Sequence, residues 1–158
     1  MAYRICVITA NTPRYNGTEQ DLSGPAVVKT LEQAGYTIVG HQILPDDREV
    51  LADSMKAICD THAADIIVTT GGTGFSPNDC TPEATMDIVE HLAPGIPEAM
   101  RAHALKTSPL GVLTRSVAGI RKKTLIINLP GTPEVAQNLL TYILPFLRFG
   151  LQTLNEAN

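Results

Sequence analysis

The chain has 158 residues, of which 44% are hydrophobic and 18% charged, and it carries a net charge of −4. This length and balance fit one folded domain with a real core and exclude a disordered chain. The acidic balance excludes general attraction to nucleic acid, and apolar runs of about six residues are too short to cross a membrane.

Cys6, Cys59 and Cys80 are an odd number at unrelated spacings. They argue against a disulfide framework or a zinc site and for a reducing compartment, the cytoplasm. The start of the chain, "MAYRICVITAN", reads as a first strand and not as a signal peptide.

Residues 3–11 are continuously apolar, as expected of a strand buried on both faces. The polar stretch "TPRYNGTEQDLSG" has no periodicity and reads as a loop. A helix is predicted over 25–35, with Ser23 or Gly24 as cap, Pro25 in the first turn and an apolar stripe of Val28, Leu31 and Ala34. Residues 36–44 form a second strand. A second helix over 45–62 has Leu51, Met55 and Ile58 on one face, with acids crowding its first turn. Residues 65–70 form a third strand.

Further helices are predicted from near Pro82 and over about 97–106, followed by two strands, 110–120 and 123–131, joined across "RKK". A last helix from Pro133 to about Phe149 places Val135, Leu139, Tyr142 or Ile143, and Phe146 in its stripe, and Pro145 is expected to kink it. Strands alternating with helices predict an α/β fold with a mostly parallel sheet and right-handed crossovers.

The segment "TTGGTGFSPNDCTPEAT" (69–85) holds three glycines, two prolines and five threonines directly after a predicted strand. In open α/β sheets ligands bind beyond the carboxyl ends of the strands. Gly71, Gly72 and Gly74 can take positive φ and leave N–H groups free for a phosphate, with Thr81 as N-cap of the following helix. A tight strand-to-helix turn needs glycine equally for geometry alone. "NLPGTPEV" (128–135) repeats the pattern, so two helix starts could face one edge of the sheet and a ligand with several phosphates.

Asp46 and Asp47 in "LPDD", and Asp79 in the loop, stand at predicted strand-to-helix corners. Carboxylates beside phosphates make sense with a cation between them, and Mg²⁺ takes one or two carboxylates together with phosphate oxygens. Helix capping is the other explanation. It is preferred for Asp47, is the default for Asp21, and stays level with the cation reading for Asp46 and Asp79.

Four segments, "DLSG" (21–24), "LPDD" (44–47), 69–85 and "VLTRSVAGIRKKTLIINLPGTP" (112–133), together resemble the molybdenum cofactor biosynthesis family with the molybdopterin-binding fold. The family includes bacterial molybdopterin adenylyltransferases and the G domains of gephyrin and its plant counterpart. The resemblance implies a single three-layer α/β/α domain over residues 1–158 with a mostly parallel central sheet. It also implies Mg²⁺- and ATP-dependent transfer of AMP to the terminal phosphate of molybdopterin, with release of pyrophosphate.

By the same resemblance, Asp46 and Asp79 are the catalytic and Mg²⁺-holding acids. Gly71, Gly72, Thr73, Gly74, Ser23 and Gly24 bind nucleotide phosphates, and Thr114, Arg115, Asn128, Pro130 and Gly131 bind molybdopterin, with Arg115 or a neighbouring lysine meeting its phosphate. A homotrimer and transient contact with a downstream metal-insertion enzyme are implied too. Where many relatives carry Ser-Asp-Arg or Ser-Asn-Arg after the first strand, this chain has "ANTPR", with Asn11 and Arg14 available as substitutes; the family's "LSR" appears as "LTR". The alternative function is a non-catalytic molybdopterin carrier or trimeric scaffold.

His41, His62, His91 and His103 lack metal-ligand spacing. Cys80 reads as a neutral filler and not a nucleophile. The "RKK" turn reads as solvated, although Arg121 could reach an anion.

Overall fold

The computed structural model describes residues 2–156. One sheet has the order β2-β1-β3-β6-β5-β4. The strands are β1 (Arg4–Ala10), β2 (Thr37–Leu44), β3 (Ile66–Thr70), β4 (His91–Leu92), β5 (Ala118–Arg121) and β6 (Thr124–Leu129). β2, β1, β3 and β6 run parallel; at one edge β5 pairs antiparallel with β6, and β4 pairs antiparallel with β5. The expected mostly parallel sheet is therefore present.

The helices are α1 (Thr12–Tyr15), α2 (Ser23–Gln33), α3 (Arg48–Asp60), α4 (Thr81–Ile88), α5 (Gly95–Ala104) and α6 (Pro133–Glu156), with a 3₁₀ turn at Pro109–Leu113. The central strands are mostly apolar because both of their faces are covered. One face, with Val7, Ile66, Val68 and Ile127, packs on Val27 and Leu31 of α2 and on Leu140 and Ile143 of α6. The other, with Ile8, Ile67 and Ile126, packs on Leu51 and Met55 of α3 and Ala84 and Ile88 of α4.

Several expectations are corrected. The strand expected over 110–120 is only Ala118–Arg121. Ser108 accepts a hydrogen bond from the Leu110 N–H and Pro109 opens the 3₁₀ turn, a capped start that the apolar residues after it disguise. The supposed loop after β1 holds the one-turn α1, capped by the Asn11 side chain on the Arg14 N–H.

The stripe of α6 is centred one residue later than expected. The expected Leu139 and Ile143 are buried, together with Ala136, Leu140 and Leu147, while Val135 and Phe146 are exposed. The helix continues through Pro145 to Glu156. Pro145 lies on the exposed side, where the carbonyl it cannot bond can meet water. α2 begins at Ser23, and its first turn is capped by Asp21, whose Oδ1 accepts the Gly24 N–H at 3.0 Å. α3 begins after Asp47, which caps it on the Val50 N–H.

At the opposite end of the strands, buried Asp65 ties β1 to β3. It accepts the Arg4 backbone N–H at 2.8 Å and the Arg4 Nη2 at 3.1 Å. Burial works against the charge on Asp65, but the Arg4 donors and His62 outweigh it and hold the carboxyl below its usual range. A depressed carboxyl contributes stability above its unfolded pKa, and the contribution is lost as pH falls through the folded value. Asp65→Asn is therefore expected to cost about 1–3 kcal/mol at neutral pH. In urea melts across pH, its difference from wild type should shrink below about pH 4, the ordinary aspartate range. A difference that does not change with pH would contradict this.

Candidate active site

β1 has β2 on one side and β3 on the other, so the chain order reverses there. The crevice beyond the carboxyl ends of such strands is where an open α/β sheet binds ligands. A cleft of about 620 Å³ opens at this place. Its walls are Asn11 and Arg14 after β1, residues 71–74 and Asp79 after β3, and Pro130, Gly131 and Thr132 after β6. Thr107, Ser108, Leu110, Gly111, Leu113 and Thr114 close the far side. Sequence pattern alone does not show that far wall, because its apolar 3₁₀ turn looks like a strand.

The glycine loop is tied down at both ends. The Gly71 N–H donates to Leu129 O at 3.0 Å, and Thr70 Oγ1 donates to Pro130 O at 2.8 Å. Gly71 has φ +97°, and a Cβ on it would stand 2.5 Å from the Ala10 carbonyl oxygen. No side chain fits there, so glycine is required by space as well as by φ. Past the middle of the loop, the Gly74 N–H donates to Asp79 Oδ2 at 2.9 Å. Between these anchors, the N–H groups of Gly72 and Thr73 have no acceptor among the described residues.

The two acids approach this loop from different sides. Asp79 lines the cleft and braces Gly74. Asp46 stands behind Gly72: a Cβ there would collide with Thr81 Oγ1 and come within 3.3 Å of Asp46 Oδ1. Asp46 Oδ2 accepts from the Thr12 N–H at 3.0 Å and from its hydroxyl at 3.3 Å, whereas Oδ1 is buried with no partner. Thr81, expected as N-cap, is the first residue of α4, and its Oγ1 is likewise buried and unpartnered. The cap position belongs to Cys80, which makes no side-chain cap bond. Burial, and then the charges of Asp46, Glu83, Asp47 and Asp79, push the Cys80 thiol up. A thiol surrounded by carboxylates is a poor nucleophile.

The other expected site residues separate into two groups. Thr114, Pro130 and Gly131 line the cleft. Arg115 and Asn128 are committed to the protein itself. Arg115 Nε donates to Gly74 O at 2.8 Å, its Nη2 donates to Asp79 O at 3.0 Å, and its Nη1 pairs with Glu83. Burial opposes ionisation of Glu83, yet Arg115 prevails and holds its carboxyl low. Asn128 is fully buried, donating to Thr69 and Thr85 and accepting the Val117 N–H.

Ser23 and Gly24 also lie off the cleft lining, in a partly buried network with Asp21, Thr9 and His41. The "RKK" turn is a solvent-side hairpin turn, and Arg121 is paired with Asp60. Among the described residues, no group of three or more His, Cys, Asp or Glu side chains could hold a metal, and no helix is long and apolar enough to cross a membrane.

The fold and the cleft define an α/β protein with unpartnered backbone N–H groups and a carboxylate, Asp79, at the carboxyl ends of its parallel strands. Residues 6–148 match the family model described as a probable molybdopterin binding domain, and the chain belongs to that family. It is 38% identical over 149 residues to the molybdopterin adenylyltransferase of Helicobacter pylori strain J99, covering 92% of this chain and 84% of that one. It is 33% identical over 133 residues to the molybdopterin adenylyltransferase of Escherichia coli K12, covering 83% and 68%. The fold superposes on the crystal structure of the molybdopterin biosynthesis enzyme MoaB of Thermus thermophilus with a TM-score of 0.91, at 34% identity and 96% coverage of each chain.

Arg115 acts here as a clamp on the loop. Arg115→Met is expected to speed hydrogen exchange of the bonded Gly74 and Asp79 amides by about tenfold or more, equivalent to at least about 1.4 kcal/mol of local stability. The β1 and β6 amides should stay as protected as in wild type. Unchanged exchange in the loop would contradict the clamp.

Proposed function

We propose that this chain is a molybdopterin adenylyltransferase of molybdenum cofactor biosynthesis, acting as a single molybdopterin-binding domain. An oxygen of the molybdopterin terminal phosphate attacks the α-phosphorus of ATP. The bond from that phosphorus to the bridging oxygen breaks, and adenylyl-molybdopterin and pyrophosphate form. The attacking group is already a phosphate, so no covalent enzyme intermediate is needed. The protein's part is positioning and charge stabilisation.

The observation that carries this reading is the pair of unpartnered amides at Gly72 and Thr73, placed between Asp79 in the cleft and Asp46 behind the loop. Oriented N–H groups suit phosphate oxygens. The bare, buried Oδ1 of Asp46 fits a cation, so Asp46 and Asp79 would hold Mg²⁺, with phosphates and water completing its shell. When bound, the metal would neutralise charge on the phosphates. Thr114, Pro130 and Gly131 would contact molybdopterin, and exposed Leu110 beside Leu113 and Val135 offers the pterin ring an apolar wall. Arg115 and Asn128 would serve both substrates indirectly, through the segments they hold. Ser23 and Gly24 would act indirectly, Ser23 by accepting from Arg14 at the cleft wall and Gly24 by its N–H bond to Asp21. We place the protein in the cytoplasm as a homotrimer, with the exposed Phe146 and Phe149 of α6 available to an interface, passing its product to a metal-insertion enzyme.

The test is pyrophosphate release from Mg-ATP with and without molybdopterin, in wild type, Asp46→Asn and Asp79→Asn. Release should require molybdopterin and fall by about a hundredfold or more in each variant, with both still folded. Tight molybdopterin binding without release by wild type would contradict the enzyme and leave a carrier or scaffold.

A further inference from the structure

Among the residues lining the cleft, Arg14 carries the one positive charge and Asp79 the one negative charge. Arg115 stands nearby, but each of its guanidinium nitrogens is already engaged. The donors of Arg14 are divided differently. Nη1 donates to Ser23 Oγ at 2.9 Å and lies 3.7 Å from Asp21 Oδ1. Nε is buried and makes no hydrogen bond, and Nη2 has no acceptor among the described residues. The Nε–Nη2 edge of a guanidinium matches two oxygens of a phosphate. In Arg14 that edge makes no hydrogen bond to the described residues.

The surroundings fix this arrangement. Asp21 has a side chain only 5% exposed. Its Oδ1 accepts the Gly24 N–H at 3.0 Å, and its Oδ2 accepts the Thr9 hydroxyl at 2.8 Å and lies 3.3 Å from His41 Nε2. Ser23 is fully buried, and its hydroxyl reaches Asp21 at 3.4 Å. A Cβ on Gly24 would strike Asp21 and His41 and displace them from this arrangement. A buried acid and a buried hydroxyl thus grip one edge of the Arg14 fork. On the other side, Glu19 Oε2 lies 3.6 Å from Nε, on a side chain 60% exposed. An exposed carboxylate at that distance adds little and is free to leave.

We propose that Arg14 binds a substrate phosphate through its Nε–Nη2 edge, that Asp21 and Ser23 are the positioning residues that aim it, and that Glu19 covers that edge in the empty site. The ligand class is a phosphate ester or anhydride, supplied either by molybdopterin or by the ATP polyphosphate. The inference rests on the adenylyltransferase reading and adds the residue that meets the substrate's charge.

The test is titration calorimetry of wild type, Arg14→Met and Arg14→Lys with Mg-ATP and, separately, with molybdopterin, at several salt concentrations. Arg14→Met should weaken binding of one of the two by about tenfold to a hundredfold, the range for a charge-assisted hydrogen bond. It should also flatten the salt dependence of that ligand alone, which a purely structural role would not do. Arg14→Lys should recover only part of the affinity, since an ammonium lacks the planar fork. The ligand affected identifies the source of the phosphate. Wild-type affinity and salt dependence for both ligands in Arg14→Met would overturn the inference while leaving the adenylyltransferase reading standing. Failure of wild type to bind either ligand would overturn both. Should Arg14→Met not fold, Arg14→Lys decides: about tenfold weaker binding of one ligand supports the proposal, and unchanged binding of both overturns it.

Discussion

The site depends on one close approach, that of the Gly71 backbone to the ends of two other strands. Gly71 sits against the Ala10 carbonyl of β1, bonds to Leu129 O of β6, and has the backbone of Gly131 packed beside it. A Cβ on Gly131 would fall 3.2 Å from the Gly71 Cα, so two strand exits meet almost backbone to backbone. This contact sets the direction in which the chain leaves β3. Leaving in that direction, it spends the Gly71 N–H on the sheet and the Gly74 N–H on Asp79, and leaves those of Gly72 and Thr73 unspent. A donor pair held by such anchors is organised before any ligand arrives, which is what charge stabilisation in a site requires.

Around this point the polar residues divide by task. Arg115 and Asn128 are scaffold. The first clamps the outer half of the loop to α4, and the second joins β3, α4 and the entry to β5 in a fully satisfied buried network. Satisfied networks of this kind rigidify a core, whereas a half-satisfied one is costly. Thr81 Oγ1 and Glu83 Oε2 are buried without a partner among the described residues, and Asp46 and Arg14 are likewise incompletely satisfied. Asp46 and Arg14 each have one edge held by the protein and another left bare. Bare edges on a carboxylate and a guanidinium near one pair of free amides are consistent with a ligand carrying phosphates and a cation.

Much of this is legible in the sequence because it rests on local pattern. β1, β3 and β6 are dominated by apolar residues on both faces, as strands covered on both sides are, with Thr9, Thr69, Thr70, Thr124 and Asn128 as buried polar residues among them. Strand, glycines, then Thr-Pro-Glu mark the loop and the start of α4. Asp47 and Asp21 are legible as caps because a cap involves neighbours only three residues away. The 108–117 segment misleads because Leu110, Val112 and Leu113 look the same in a strand as in a capped 3₁₀ turn with an apolar wall; Ser108-Pro109 is the available signal. β4 is two residues long and carries no pattern at all. The roles of Arg115 and Asn128 are out of reach for another reason. Their partners, Gly74, Asp79, Thr69 and Thr85, lie 30 or more residues away, and no spacing rule says whether a side chain turns to the cleft or to the core.

The central claim is that the amides of Gly72 and Thr73 hold substrate phosphate. Titrating ¹⁵N-labelled protein with Mg-ATP and following its amide resonances tests this most directly. The Gly72 and Thr73 signals should move together and saturate, with the Gly71 and Gly74 amides, already bonded within the protein, moving much less. Saturable binding that leaves Gly72 and Thr73 unmoved while shifting amides elsewhere would contradict the account.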